Sequence, residues 1–313
     1  MVEKIVVALQ GGLGNQLFQY AAGLAVVRAF RGAAAKGGGS APPPLLLTAP
    51  EENKHSGRDY RGVFYSQAQS YEPKGDEPFV IWYPADSFIA WKPGDLASAA
   101  SLSDSALYMR GFFQYLPAVA PVLPFVRHEI LRKISERRLY VQKRYGIEDP
   151  TAVAFVHVRR GDYVELEKEG FWNLGADYYR PALQRIRVAG AKRIFLITDD
   201  PAWCSTQPWL AQEGLLLSDE GDELNALALM SMCCGGAVIA NSTFSWWGAW
   251  LGAAGAPVVY PSLWYQDRRP ELFPADWICG AAGTRAVEPE AQVPEPSDRQ
   301  ACPRVAVAGT PAT

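Results

Sequence analysis

The sequence predicts an α/β protein built on parallel sheets and divided into two domains. Three observations lead there. Short β-branched runs alternate with helical patterns, the way strand–crossover–strand units read. Those runs are apolar throughout rather than alternating, as strands covered on both faces are. And 313 residues suit two domains of about 150 residues better than one. The expected division is 1–150, 151–284 and a tail, 285–313, whose Pro-, Ala- and Glu-rich composition predicts disorder.

The elements follow in order. "EKIVVALQGGLGNQLFQYAAGLAVVRAF" reads as strand, turn and helix. Lys4–Leu9 is the strand, and Gly11, Gly12 and Gly14 permit a tight turn. The helix opens at Asn15 or Gln16, with Leu17, Phe18, Ala21, Leu24 and Ala25 on its apolar side. Leu17 stands where GxGxxG needs its third glycine, and the GK[ST] ending of a P-loop is missing. "RGAAAKGGGSAPPP", 31–44, is low in complexity and reads as a flexible insertion. Residues 45–125 carry many aromatics and prolines without clean periodicity, so irregular α/β structure is expected, with a strand and turn in "LYMRGFFQYL" (107–116). Residues 125–146 have helical spacing and a basic polar face, which reads as a solvated surface.

A second α/β half begins at 151. Strands are expected at 151–160, 192–200 and 256–261, helices at 177–190 and 222–234, and a strand, polar loop and helix at 236–255.

Composition limits the chemistry. The net charge of −3 argues against a broad nucleic-acid surface. Five cysteines without a CxxC pair, and three histidines, fit neither a disulfide framework nor a structural zinc site. Free thiols suit a reducing compartment. No secretory signal is visible and no run approaches the ~18 apolar residues of a membrane span. A soluble, cytoplasmic protein is expected, with no nucleic-acid partner and no integral membrane segment.

Ligands of open parallel sheets bind at the carboxyl ends of the strands. Four polar clusters fall there: "GGLGNQ", "HVRRGDY", "TDD" and "NSTFSWW". Arg159 and Arg160 offer forked donors suited to a diphosphate, although successive strand residues face opposite ways, and one of them holding Asp162 is the alternative. "NSTFSWWGAWL" places small polar residues before an apolar helix, an N-terminus able to receive an anion or simply to be capped. Its tryptophans read as helix packing. Asp199 and Asp200 suit a ribose or base edge, or equally a helix cap before Pro201. The chain has no DxD, so a metal bridging a diphosphate to paired carboxylates is not indicated.

Together and in this order the blocks "GGLGNQLFQYAAGLA", "HVRRGDYV", "ITDD" and "NSTFSWWGAWL", with "GFFQ" (111–114) and "LGADYY" (174–179), resemble the α-1,2-fucosyltransferases over about residues 3–280. The resemblance implies two Rossmann-like domains facing a cleft (GT-B type). It implies transfer of L-fucose from GDP-β-L-fucose to the 2-hydroxyl of a terminal galactose, with inversion and without a metal or other cofactor. The acceptor would be a galactose-terminated oligosaccharide such as a lactose-type or O-antigen glycan. Carried over by position, His157, Arg159 and Arg160, Asn15 with Gly14, Asp199, and the loop Asn241, Ser242, Thr243, Phe244 and Ser245 become donor-site residues. Asp162 is the first candidate for the base that takes the acceptor proton, with Glu165 and Glu167 next. The acid usual early in the helix before "NSTFSWW" is here Asp222 or Glu223. Other regiochemistry, or a nucleotide-sugar-binding module without activity, are the alternatives.

Overall fold

A computed structural model describes residues 2–37, 41–50, 58–73, 79–82, 90–100, 106–253, 255–265, 268–281 and 306–307. The chain divides into two compact units: Met1–Val126 with Pro270–Leu272 and Thr284–Thr313, and Arg127–Arg269 with Phe273–Gly283.

The first unit runs β1 (Ile5–Ala8), α1 (Leu13–Gly37), β2 (Leu45–Leu47), β3 (Ala68–Ser70), β4 (Phe79–Trp82), α2 (Pro93–Ala100), β5 (Ala106–Arg110) and α3 (Leu116–Val119), ending in the first turn of α4 (Leu123–Lys133). The strand order is β4-β5-β1-β2-β3, all parallel, with Ala306–Val307 antiparallel on β4. Val6 faces Leu46 on one side and Tyr108 on the other. All four residues of β1 are buried, which a central strand between two covered faces requires.

The second unit runs α5 (Ser135–Arg144), β6 (Val153–Val158), α6 (Gly161–Glu165), α7 (Ala176–Val188), β7 (Arg193–Thr198), α8 (Pro201–Thr206), α9 (Pro208–Gln212), β8 (Leu216–Leu217), α10 (Glu223–Met232), β9 (Ala237–Val238), α11 (Thr243–Gly252), β10 (Val258–Pro261) and β11 (Ile278–Gly280). Its six strands are parallel in the order β11-β10-β9-β6-β7-β8. A buried core of Val156, Val158, Tyr178, Tyr179, Leu183, Ile186 and Val238 lies between the sheet and α7.

Two parallel α/β sheets answer the predicted fold class. In each unit the chain winds outward from one strand and then resumes on that strand's other side. The strand order therefore reverses between β1 and β5, and again between β6 and β9. Such switch points open a crevice at the strands' carboxyl ends.

Three expectations are corrected. The units part at Val126, not near 150, because α5 belongs with the second unit: Arg137 binds Asn225 at 2.6 Å and Arg144 binds Asp219 at 2.5 Å. The segment 31–44 is not a flexible insertion throughout, since α1 continues to Gly37. Its Ala33–Ala34–Ala35–Lys36 stretch is strongly helix-forming and outweighs the flanking glycines. Residues 38–40 lie outside the described residues. The helix expected at 125–146 is two helices with a break at Ile134, where the Ser135 hydroxyl donates to the Arg132 carbonyl at 2.9 Å. Apart from 306–307, the tail expected at 285–313 also lies outside the described residues.

Candidate functional site

The second unit's switch point is where three of the four polar clusters meet. β6 ends at Val158, and the next residues turn sharply into α6. His157, still in the strand, is only 4% exposed. Its Nδ1 is buried without a hydrogen-bond partner, and its ring meets Phe244 edge-on at 5.9 Å. Burial pushes its pKa down to about 4; Asp199 opposes the shift and Arg159 adds to it. The imidazole is therefore neutral at pH 7.

Arg159 lies between two carboxylates. One Nη meets Asp199 at 2.7 Å and the other binds Asp162. Of the five N–H donors of a guanidinium, these two contacts leave three. Its charge also lies 5.2 Å over the ring of Tyr163, whose hydroxyl donates to the Asn241 carbonyl at 2.9 Å. Arg160 goes elsewhere. Its guanidinium stacks on Trp203 at 3.9 Å, with Asp200 3.6 Å from Nε, while its backbone N–H donates to Asp199 at 2.8 Å. The turn that follows β6 has sorted the pair: Arg159 shares a side with His157, Tyr163 and the Asn241 loop, and Arg160 packs toward α8.

α11 starts within this cluster. Ser242 is its N-cap residue and makes no side-chain capping bond, so the cap side chain does not cover the positive end of the helix. Phe244, in that first turn, is the residue that meets His157. The side chain of Asn241 turns away and donates to the carbonyls of Trp172 and Trp264 at 3.1 and 3.0 Å. Ser245 points inward, its hydroxyl 3.1 Å from the Ser242 carbonyl. Thr243 is half-buried in the first turn. The side chains of Asn241 and Ser245 are thus engaged by backbone carbonyls and serve the fold of the loop.

Asp199 binds Arg159 and the Arg160 amide, and Asp200 caps α8 by accepting from the Trp203 N–H at 2.9 Å. The cap reading of "TDD" therefore holds for Asp200. Asp222 likewise caps α10, accepting from Leu224 at 2.7 Å. Trp246 and Trp247 are fully buried, as helix packing requires.

The first unit holds Gly14 and Asn15 at its own switch point, in the first turn of α1. Asn15 accepts from Gln114 at 3.1 Å. Gln19 donates to the Gly111 carbonyl at 3.0 Å and accepts from the Gln10 N–H at 3.0 Å. This lattice joins the ends of β1 and β5 and explains why "GFFQ" accompanies "GGLGNQ".

Comparison with known proteins gives the family. Residues 79–280 match the model of glycosyl transferase family 11. The chain belongs to that family. The O-antigen biosynthesis glycosyltransferase WbnK of Escherichia coli is 30% identical over 146 residues, 45% of this chain and 48% of that protein. The galactoside 2-alpha-L-fucosyltransferase Sec1 of Mus musculus is 31% identical over 152 residues, 47% of this chain and 40% of that protein. The chain thus matches about half, or less, of these two relatives' length. An alpha-1,2-colitosyltransferase of Escherichia coli is 25% identical over 290 residues, covering 88% of this chain and 98% of that one. Among solved structures, POFUT1 in complex with GDP-fucose aligns with a TM-score of 0.48 at 14% identity, covering 90% of this chain and 99% of that one.

The family's "DYY" turns out to be structural. Tyr178 donates to the Ile239 carbonyl at 2.6 Å, with the Val259 carbonyl 3.1 Å away, and Tyr179 donates to the His157 carbonyl at 3.1 Å. Sequence reasoning singled out neither residue, nor Tyr163. Two adjacent tyrosines opening a helix were the available signal, since buried hydroxyls need acceptors.

The state of His157 is testable. Between about pH 6.5 and 4 the unfolded chain binds a proton at His157 that the native chain does not, so stability falls on acidification by roughly 3 kcal/mol across that window. The His157 ring resonances should keep their neutral shifts to about pH 5; a midpoint near 6.5 would overturn this.

Proposed function

We propose that this chain transfers L-fucose from GDP-β-L-fucose to the 2-hydroxyl of a terminal galactose, with inversion and without a metal. Family membership sets the reaction class. The observation that carries the assignment of the site is the convergence, at one strand-order reversal, of a helix start without a side-chain cap, a buried neutral imidazole with an unpartnered nitrogen and an arginine with N–H donors to spare.

Departure of GDP leaves negative charge on a phosphate oxygen. Arg159 and the N-terminal end of α11 are fixed in place before the charge develops, which is how such groups stabilise a transition state. Arg160, on Trp203, anchors the turn that presents Arg159. Inversion by a single displacement needs a base opposite the leaving group, and Asp162 is the carboxylate assigned to it. The same carboxylate binds Arg159, so positioning is its second role. Free Cys204, Cys233, Cys234 and Cys279 suit action in the cytoplasm, on a lactose-type or O-antigen glycan.

The test is incubation with GDP-fucose and lactose, with and without EDTA, followed by mapping of the linkage. An α-1,2-linked product formed equally in both is expected. Tight GDP binding without transfer to any galactoside would leave a binding module, and loss of activity with EDTA would remove the metal-free mechanism. In the same assay Asp162→Asn should abolish turnover while largely sparing GDP affinity; near-normal turnover excludes it as base. A second donor is worth including, because the relative matched over 98% of its length is named a colitosyltransferase: preference for GDP-colitose would reassign the sugar and keep the site.

A further inference from the structure

Helices α4 and α5 carry seven arginines and lysines against two glutamates, in a chain whose net charge is −3. The fold sorts these cations. Arg127 donates to the carbonyls of Trp250 and Leu251, at the end of α11, at 3.3 and 2.8 Å. Arg137 and Arg144 pair with Asp222 and Asp219, and Arg138 is half-buried. Arg132, Lys133 and Lys143 remain. All three are exposed, and among the described residues none has a carboxylate partner. Glu136 shares their face and pairs with none of them.

Between these cations stand apolar side chains that the core does not use. Leu139 is 67% exposed and Tyr140 44%. Residues three and four apart share a helix face, so Leu139, Tyr140 and Lys143 lie together on the exposed face of α5, and Arg132 and Lys133 close α4 just before the break that leads into it. The opposite side, with Ile130, Ile134 and Val141, is buried. Packing therefore accounts for one side of the helix pair and leaves a basic surface studded with large apolar groups on the other.

We infer that this face docks the protein on an anionic lipid bilayer, with Arg132, Lys133 and Lys143 at the headgroups and Leu139 and Tyr140 in the interfacial layer. Charge complementarity selects an anionic surface. The exposed leucine and tyrosine favour lipid over an acidic protein, because tyrosine and aliphatic groups between basic residues suit the headgroup boundary. The attachment is peripheral: no described helix is long and apolar enough to cross a membrane. It is shallow and reversible, since the helices' own apolar side already faces the core.

The experiment is vesicle co-sedimentation of the full chain, with phosphatidylcholine alone and with 30% phosphatidylglycerol (about one lipid in three, ample for the leaflet potentials that attract basic segments). Binding to the anionic vesicles only, released by high salt, is expected. Each cation near such a surface contributes about fivefold, so replacing Arg132, Lys133 and Lys143 by glutamine should weaken partition about 100-fold. Leu139→Ser should weaken it roughly tenfold without changing charge. Both variants alter exposed positions and should keep the wild-type unfolding midpoint. Equal binding to neutral vesicles, no binding to anionic ones, or binding unchanged in the triple variant would overturn the inference. So would binding of polyglutamate without binding of vesicles, which would assign the face to an acidic protein.

Discussion

Replacing Arg159 by lysine should lower kcat by about 10²- to 10³-fold with little change in the unfolding midpoint, the scale expected on losing one preorganised donor to a developing anion. Lysine keeps the charge but loses the fork that spans Asp162 and Asp199 while still offering N–H groups. Arg160→Lys should behave in the opposite way. It removes the stack on Trp203, worth about 1–2 kcal/mol when partly buried, and should lower stability while turnover stays within about tenfold of wild type, well short of one lost oxyanion donor. Paired kinetics and denaturant unfolding on the two variants decide the matter. If Arg160→Lys is the inactive one and Arg159→Lys the unstable one, the assignment of sides is wrong.

Gly161→Ala is expected to do more damage than either. Gly161 sits at φ +22, a backbone conformation that side chains rarely adopt, and an added Cβ would collide with Asp199 Oδ2. The clash falls on the carboxylate that holds both the Arg159 side chain and the Arg160 amide. Strain and lost contacts together should cost roughly 2–4 kcal/mol, and turnover should fall more than 100-fold, because the role proposed for Arg159 is forfeited by a displacement of about 1 Å. Urea unfolding and steady-state kinetics read both. Wild-type values for both would show that the turn has room to relax.

Much of this was legible in the residues. β6 and β7 are visible as nearly continuous apolar runs because parallel strands are covered on both faces. The clusters after β1, β6, β7 and β9 could be placed because ligand loops follow the carboxyl ends of strands. What stayed hidden depends on contacts far apart in the chain. Asp199 reads as a ribose partner until it is seen 40 residues away, holding Arg159 and the Arg160 amide. The unit boundary at Val126 goes with Arg127 holding the end of α11 and with α5 binding Asp219 and Asn225, for which local pattern gives no sign. Residues 31–37 were misjudged because composition was averaged over glycines and prolines that come later. Nor does local pattern show that the Asn241 side chain holds the carbonyls of Trp172 and Trp264.

The two tyrosines that open α7 have a wider consequence. Through them one helix touches β10 and the outgoing ends of β6 and β9, and from the last two depart loops of the candidate site. α7 thus works as a gauge block behind the sheet: the spacing of those loops is set by a side of the protein that the proposed site does not use. Changes along α7 would retune donor geometry from behind, and a search for altered sugar preference confined to residues facing the ligand would miss them.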